Sequence, residues 1–200
     1  MTEPIFETVV TTCSSAGVVH VAPMGARHVD GLVVLKPFRP STTLDNLLAS
    51  RIGVLNVVTD VRVFAGCVTG RRQWPVRDVD APGRPRAVRL EVALSHAVLE
   101  VVEVDDDAQR PTLRLARVHE ESHVPFAGFN RAQAAVIEGA VLVSRLHLLD
   151  PARIDEEFRY LQIAIDRTAG PVELEAWGWL GEAVARHRAK QADALARGAA

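Results

Sequence analysis

The stretch VVLKPFRPSTTLDNL, residues 33–47, changes its hydrophobic period part-way along. Its first residues are apolar and mostly β-branched, which is typical of a buried strand. After two prolines, Leu44 and Leu47 recur at helical spacing, and Ser41 or Thr42 can cap the helix that they predict. The stretch therefore predicts a strand that passes directly into a short helix, and its surroundings decide which sheet contains that strand.

Segments with strand character lie on both sides of this junction. FETVVTT, residues 6–12, is rich in β-branched residues, and Asp30-Gly31 between apolar runs predicts a hairpin. RIGVLNVVTD, residues 51–60, returns to strand character, and VRVFAGCV, residues 61–68, is expected to extend the sheet. Two long strands are predicted around the acidic turn at residues 105–107. The first two thirds of the chain are therefore expected to be mainly β.

The last third of the chain is helical by its pattern. From Asn130 onward, apolar residues recur at helical spacing, and proline and glycine divide the pattern into three helices. Residues 70–89 are rich in arginine and proline, which indicates a long surface loop or a small excursion from the sheet. The order predicts an α+β fold, with a β domain at residues 1–129 and a helical region at residues 130–192 that packs on it.

Composition and charge exclude several classes of protein. The chain has 200 residues with a net charge of -2, so no global basic field recruits nucleic acid. Its two cysteines, Cys13 and Cys67, are too few for a disulfide scaffold. We find neither a targeting segment nor an apolar run of about 18 residues, the length that spans a bilayer. We therefore expect a cytoplasmic protein without a nucleic-acid or membrane partner.

The stretch HEESH, residues 119–123, matches the His-Glu-x-x-His motif of zinc proteases. That motif needs a helix, but here it follows a strand-like run, and Pro125 prevents a helix from continuing. On an extended strand, residues four apart lie about 13 Å apart, too far for one zinc ion with ligand bonds of about 2 Å. We therefore predict a charged strand end and no metal site.

The junction at residues 36–43 carries a possible anion site. Lys36, Arg39, Ser41, Thr42 and Thr43 lie together where the strand passes into the helix. A helix N-terminus presents unpaired N–H groups, and hydroxyl and guanidinium donors beside it suit a phosphate. The alternative is that Ser41 only caps the helix and that the two cations are solvated.

Two further stretches carry polar or open backbone groups. In VAPMG, residues 21–25, proline and glycine at a strand end expose backbone groups that can meet the edge of a flat heteroaromatic ring. In NVVTD, residues 56–60, Asn56 and Thr59 put polar groups beside apolar strand residues. The alternatives are an ordinary turn for the first stretch and a solvated sheet edge for the second.

Together these stretches carry a family resemblance. ETVVTT, HVAPMG, VVLKPFRPSTTLDNL and GVLNVVTDV, with the later GFNRAQAAVIE, resemble an uncharacterised family catalogued as domain of unknown function 447. That family belongs to the FMN-binding split-barrel proteins, which include flavin reductase-like and pyridoxamine-phosphate-oxidase-like members. The resemblance covers nearly the whole chain, and FRPST and FNRA are its most specific parts. It implies a split β-barrel, followed by a C-terminal helical segment, that forms a homodimer with FMN in a groove at the interface.

The resemblance also implies cofactor-binding residues. It assigns the FMN phosphate to Arg39, Ser41, Thr42 and Thr43, and the isoalloxazine ring to Pro23, Met24 and Gly25. It assigns the ring or the ribityl chain to Asn56, Val57 and Thr59. Further polar contacts are expected from Asn130 and Arg131, either of the same chain or of a partner subunit. For Asn130 the alternative role is to cap a helix.

The resemblance indicates two classes of function. The first is an FMN-dependent oxidoreductase of the flavin reductase-like type whose substrate, electron donor and acceptor are unknown. The second is a non-catalytic carrier or sensor that binds a flavin, a deazaflavin or a pterin. The sequence contains no Gly-x-Gly-x-x-Gly, so a separate nicotinamide-binding domain is not indicated. Rapid reduction of a bound flavin by a donor distinguishes the first class from the second.

Overall fold

The structure, a computed structural model, describes residues 3–198 of the chain and divides them into two compact units. The first unit contains the residues up to Thr59 together with Arg72–Phe126. The second contains Asp60–Arg71 and the residues from Ala127 onward. Among the described residues, no helix is both long and apolar enough to cross a lipid bilayer.

The first unit is a closed six-stranded barrel with a short helix and a small additional sheet. The elements are β1 (Phe6–Cys13), β2 (Val19–Val29), β3 (Leu32–Leu35), α1 (Thr42–Ser50), β4 (Ile52–Val57), β7 (Ser95–Asp105) and β8 (Thr112–Ser122), with β5 (Val76–Val79) and β6 (Ala87–Leu90) in the additional sheet. The barrel strands follow the order β1-β2-β3-β8-β7-β4, and every neighbouring pair is antiparallel.

Local sequence signals explain the start of the barrel. Asp30 and Gly31 have φ angles of 50° and 79°, which gives the tight hairpin between β2 and β3. The hydroxyl of Ser41 accepts a hydrogen bond from the Leu44 N–H, so Ser41 caps α1. Leu44 and Leu47 are almost fully buried and belong to the same apolar cluster as the inward-facing strand residues. Helix α1 is thus held against the barrel by Leu44 and Leu47, the same two leucines whose spacing predicted the helix.

A buried amide connects three strands of the first unit. Asn56 on β4 is 0% exposed, and its Nδ2 donates to the backbone oxygens of Val9 at 3.0 Å and Val54 at 3.1 Å. Its Oδ1 accepts the backbone N–H of Leu90 on β6 at 2.8 Å. The Nδ2 also lies 3.2 Å from the hydroxyl of Thr11. One side chain therefore joins β1 and β4 of the barrel to the additional sheet.

The second unit contains four helices. They are α2 (Arg62–Val68), α3 (Arg131–Ser144), α4 (Pro151–Thr168) and α5 (Pro171–Gly198), and α3 contacts each of the other three. Gly139 on α3 permits a close approach to α5, because an added Cβ would lie 2.8 Å from the ring of Trp177. The same indole donates its N–H to Gln162 Oε1 at 2.7 Å. The three C-terminal helices predicted from the sequence are present.

Two expectations about local structure need correction. VRVFAGCV does not extend the sheet but forms α2, where the carboxylate of Asp60 accepts the Arg62 N–H at 3.1 Å. Val63 and Phe64 are buried among helices, so tertiary packing outweighs the strand preference of the β-branched residues. Of the two alternatives for residues 70–89, one long loop is wrong and a small excursion fits, because these residues contain β5 and the start of β6, which form a separate two-stranded sheet. That the helical region packs on the barrel stays a prediction.

We expect Asn56→Ala to lower the free energy of unfolding by about 3 kcal/mol, because it removes several buried hydrogen bonds and leaves the Leu90 N–H without a partner. Urea denaturation followed by circular dichroism measures the change. Asn46→Ala is the matched control, since Asn46 is also buried but its amide donates one bond, to the Thr12 hydroxyl. An equal loss in both variants would contradict the special role of Asn56.

Candidate functional site

A groove of about 310 Å³ lies in the first unit, between β2 and the start of α1. Its lining includes five of the residues that the resemblance assigned to FMN: Pro23, Met24, Gly25, Ser41 and Thr43. These residues come from two separate stretches of sequence, and the barrel brings them together.

The backbone on the β2 side of the groove has an open edge. Residues 19–25 of β2 pair with β1, whereas pairing with β3 begins only at Ala26. Pro23 lacks an N–H, which an edge position tolerates. VAPMG was expected at a strand end, and this was wrong, because β2 continues to Val29. Short β3, rather than the end of β2, exposes this backbone.

Gly25 leaves room for the side chain of Ile5 at the groove. A Cβ built on Gly25 would lie 2.7 Å from the Cγ2 methyl of Ile5, which is closer than real Cβ atoms approach. Ile5 itself is 53% exposed and lines the same groove. A larger residue at position 25 would therefore displace Ile5 or fill part of the groove.

Three cationic side chains line the groove without a carboxylate partner. Arg27, Lys36 and Arg110 form no ion pair with any residue in the described part of the chain. The Arg110 guanidinium lies 4.6 Å from the ring centre of Phe38, and its Nε donates to the Lys36 carbonyl at 3.3 Å. Three cations that form no ion pair within the described residues lie beside a helix N-terminus, which makes the groove suitable for an anion.

An acidic turn holds Arg110 in place. The carboxylate of Asp107 accepts the backbone N–H groups of Arg110 at 2.7 Å and Gln109 at 2.9 Å. These two hydrogen bonds lower the pKa of Asp107 below its usual value. Asp107 is therefore occupied by its own turn and does not neutralise the Arg110 side chain.

Arg39 and Thr42 are not among the residues that line the groove. The Arg39 guanidinium pairs with Asp106 at 2.6 Å, and its backbone N–H donates to the Gln109 carbonyl at 2.9 Å. Thr42 is exposed at the first position of α1. Arg39 thus connects the start of α1 to the acidic turn, a contact that positions Arg110.

The residues expected from the end of β4 are not in the groove either. Asn56 has no exposed surface, and its amide is occupied by strand contacts. Val57 is 42% exposed but lines a different cavity of the first unit. Thr59 is the last residue before the second unit begins. None of the three takes part in the groove, so we assign them no contact with a ligand there.

Asn130 and Arg131 lie in the second unit, at the start of α3. The Asn130 Oδ1 accepts the N–H groups of Ala132 at 2.7 Å and Gln133 at 3.3 Å, and its Nδ2 donates to the Thr168 carbonyl at 3.0 Å. The capping role predicted for Asn130 is confirmed. Arg131 is exposed at the first helical position.

A histidine cluster lies elsewhere in the first unit, between β7 and the end of β8. His96 is 3% exposed, and its Nδ1 lies 2.9 Å from Nε2 of His123. Burial, together with the proximity of His123, lowers the pKa of His96 to about 4. HEESH is extended as predicted, since β8 continues to Ser122, but no local pattern indicated that His96 would lie opposite Glu121.

Comparison with known proteins identifies the family. Residues 6–124 match the N-terminal domain of the protein family of unknown function DUF447, and residues 130–182 match the second part of that family. The chain belongs to this family. The resemblance seen in the sequence is therefore confirmed. Among curated proteins, none matches the chain.

Solved structures share the fold. An FMN-bound DUF447 protein from Methanosarcina mazei is 22% identical, with a TM-score of 0.79 over 91% of this chain and 96% of that one. An FMN-binding protein from Thermus thermophilus, with bound p-hydroxybenzaldehyde, is 16% identical, with a TM-score of 0.51 over 62% of this chain and 74% of that one. The predicted α+β fold, a split β-barrel followed by a C-terminal helical segment, is confirmed.

Sequence reasoning missed two of the three cations. Arg27 is two residues beyond Gly25 and shares its side of the strand, so the period of two could have indicated it. Arg110 had no local signal, because it reaches the groove only through the pairing of β3 with β8.

Because Asn130 caps α3, we expect Asn130→Ala to lower the free energy of unfolding of the second unit by about 1–2 kcal/mol. Asn130→Asp keeps the two accepted bonds and loses only the donated bond to Thr168, so its loss should be smaller. Urea denaturation followed by Trp fluorescence measures both variants. A loss from Asn130→Asp as large as that from Asn130→Ala would show that capping is not the main contribution.

Proposed function

We propose that the protein binds FMN in the groove between β2 and α1 and acts as an oxidoreductase of the flavin reductase-like type. The observation that carries the proposal is the set of three cations, Arg27, Lys36 and Arg110, around a groove that includes the start of α1. None of the three forms an ion pair with another residue that the structure describes. Membership of the DUF447 family and the bound FMN of its relative from Methanosarcina mazei support the choice of ligand.

The residues present fit the two chemical halves of FMN. A phosphate suits the cationic part of the groove, where Ser41 and Thr43 begin α1 and Arg110 and Lys36 lie nearby. The open backbone edge at Pro23–Gly25 offers peptide groups and an apolar surface to a flat heteroaromatic ring. We assign the phosphate and ring contacts to these residues and omit Arg39 from direct contact.

FMN, when bound, supplies one- and two-electron redox chemistry, and the chain supplies binding, orientation and electrostatics. Arg27, Lys36 and Arg110 concentrate positive charge that holds an anionic ligand. Gly25 maintains the space beside Ile5. No side chain of the groove needs to act as a general acid or base for this role.

We further propose that the protein is a homodimer whose interface lies beside the groove. Ile5 and Phe38 line the groove and are 53% and 64% exposed, and Phe6, Val124 and Phe126 are also exposed in this unit. Large apolar side chains at the surface are typical of interfaces. Light scattering of the purified protein measures the mass, and a monomer at micromolar concentration would contradict this proposal.

We expect Arg110→Ala to weaken FMN binding by about tenfold to a hundredfold, because a charge-assisted hydrogen bond contributes about 1.5–3 kcal/mol. Riboflavin lacks the phosphate, so its affinity should change little in the same variant. Fluorescence titration with both ligands separates a phosphate contact from a general disturbance. Arg159→Ala, an exposed arginine in the second unit, is the control. If Arg110→Ala weakens the binding of FMN and of riboflavin equally, Arg110 does not contact the phosphate.

Arg39→Ala should have a smaller effect than Arg110→Ala, because Arg39 pairs with Asp106 and acts through the turn. Asp106→Asn removes the same ion pair but also removes a negative charge near the groove, so it should weaken FMN binding less than Arg39→Ala does. The same titration with FMN and riboflavin measures both variants. If Arg39→Ala weakens FMN as much as Arg110→Ala does and leaves riboflavin unchanged, Arg39 contacts the phosphate directly.

Anaerobic mixing of the FMN-loaded protein with NADH or NADPH tests catalysis. We expect the visible flavin absorbance to bleach at a rate that saturates with the donor concentration, and free FMN at the same concentration is the control. Bound FMN that no donor reduces faster than free FMN would favour a non-catalytic carrier or sensor. If the protein binds a deazaflavin or a pterin more tightly than FMN, that ligand, and not FMN, is the cofactor.

A further inference from the structure

The histidine cluster consists of His96, Glu121 and His123 and lies apart from the residues that line the groove. One possible ligand atom from each residue lies within 4.8 Å of the others. His96 on β7 pairs directly with Glu121 on β8, and His123 follows two residues later along the chain. The period of two along β8 therefore places Glu121 and His123 on one side of that chain segment.

The two imidazoles are already at a separation close to that of metal ligands. His96 Nδ1 and His123 Nε2 are 2.9 Å apart, whereas two nitrogens bound to one tetrahedral Zn²⁺ lie about 3.3 Å apart at bond lengths of about 2.0–2.1 Å. Without an ion, one ring donates a proton to the other in a hydrogen bond. An ion bound by all three residues needs about 0.4 Å more between these two nitrogens and a shift of that proton to the other nitrogen of its ring. It also needs a movement of the Glu121 carboxylate, which lies 3.7 Å from His123 Nδ1, the nitrogen that does not face His96.

His96 is the unusual member of the cluster. Its side chain is almost fully buried, and its Nε2 has no hydrogen-bond partner among the described residues. Buried ring nitrogens without a partner are uncommon in folded proteins, because the lost hydration is not replaced. This Nε2 is not the atom that faces His123, so an ion between the two rings would bind Nδ1 and leave Nε2 to carry the ring proton.

We propose that His96, Glu121 and His123 bind a divalent transition-metal ion, of which Zn²⁺ best matches the two imidazoles and one carboxylate. The fourth position is open to water. This site is not the helical motif that HEESH resembles, because it combines Glu121 and His123 with a histidine of the neighbouring strand.

The site would fix the start of β7 to the chain that follows β8. The backbone N–H groups of His123 and Val124 already donate to the Leu94 carbonyl, at 2.7 Å and 3.1 Å. An ion held by residues of both segments adds a second connection at the same place. Because an ion that binds only the folded protein stabilises it by mass action, Zn²⁺ should raise the unfolding temperature.

The first experiment is calorimetric titration of the untagged, chelator-treated protein with Zn²⁺. We expect one equivalent to bind per chain and Glu121→Gln to weaken binding by about tenfold or more, since it removes an anionic ligand from an exposed position and leaves the fold intact. Glu120→Gln, the same change at the neighbouring residue, should have no such effect. Equal Zn²⁺ affinity in the two variants, or no saturable binding by the wild type, would overturn the proposal.

A second measurement uses Co²⁺ and the histidines. His123→Gln should remove the absorption bands of tetrahedral Co²⁺ and the rise in unfolding temperature with Zn²⁺, whereas His147→Gln, at an exposed position outside the cluster, should keep both. Unaltered bands in His123→Gln would exclude this ligand set. FMN content is measured in the same samples and should be the same in every variant, so failure of this site and failure of the FMN proposal are distinguishable.

Discussion

The shortness of β3 is the constraint on which the groove depends. β2 contains 11 residues and β3 contains 4, so the barrel cannot pair the first half of β2 on both sides. The chain leaves the sheet after Leu35 and enters α1, whose leucines pack with the barrel interior. The unpaired backbone, the helix N-terminus and the space between them are therefore three consequences of one early departure from the sheet.

The acidic turn between β7 and β8 decides which cations of this region remain available. Asp106 neutralises Arg39, and Asp107 is occupied by the backbone N–H groups of its own turn. Arg110 and Lys36 form no ion pair with a carboxylate of the described residues, although acidic residues are near in sequence and the charge of Lys36 contributes to the lowered pKa of Asp107. The positive charge of the groove depends on where these carboxylates lie. It cannot be predicted from the net charge of the chain.

Local sequence patterns were sufficient to predict most of the fold and some of the residues that line the groove. The Asp30-Gly31 turn and the capped start of α1 follow from short stretches whose physical requirements are local. Arg39 could not be interpreted in the same way, because its partner Asp106 is distant in sequence. VRVFAGCV was misread because helix packing, which sequence periodicity does not contain, determines its conformation. The His96–Glu121 pairing likewise exists only once the register of two long strands is known.

The helical unit is discontinuous in the chain, and this has a consequence for synthesis. Helix α2 is translated before β5–β8, but its packing partners α3 and α5 come after Phe126. Until the ribosome has produced them, the apolar side chains of Val63 and Phe64 lack the surface that buries them in the finished protein. A polypeptide truncated after the barrel would keep that apolar segment permanently exposed, so we expect such a fragment to aggregate or to be degraded.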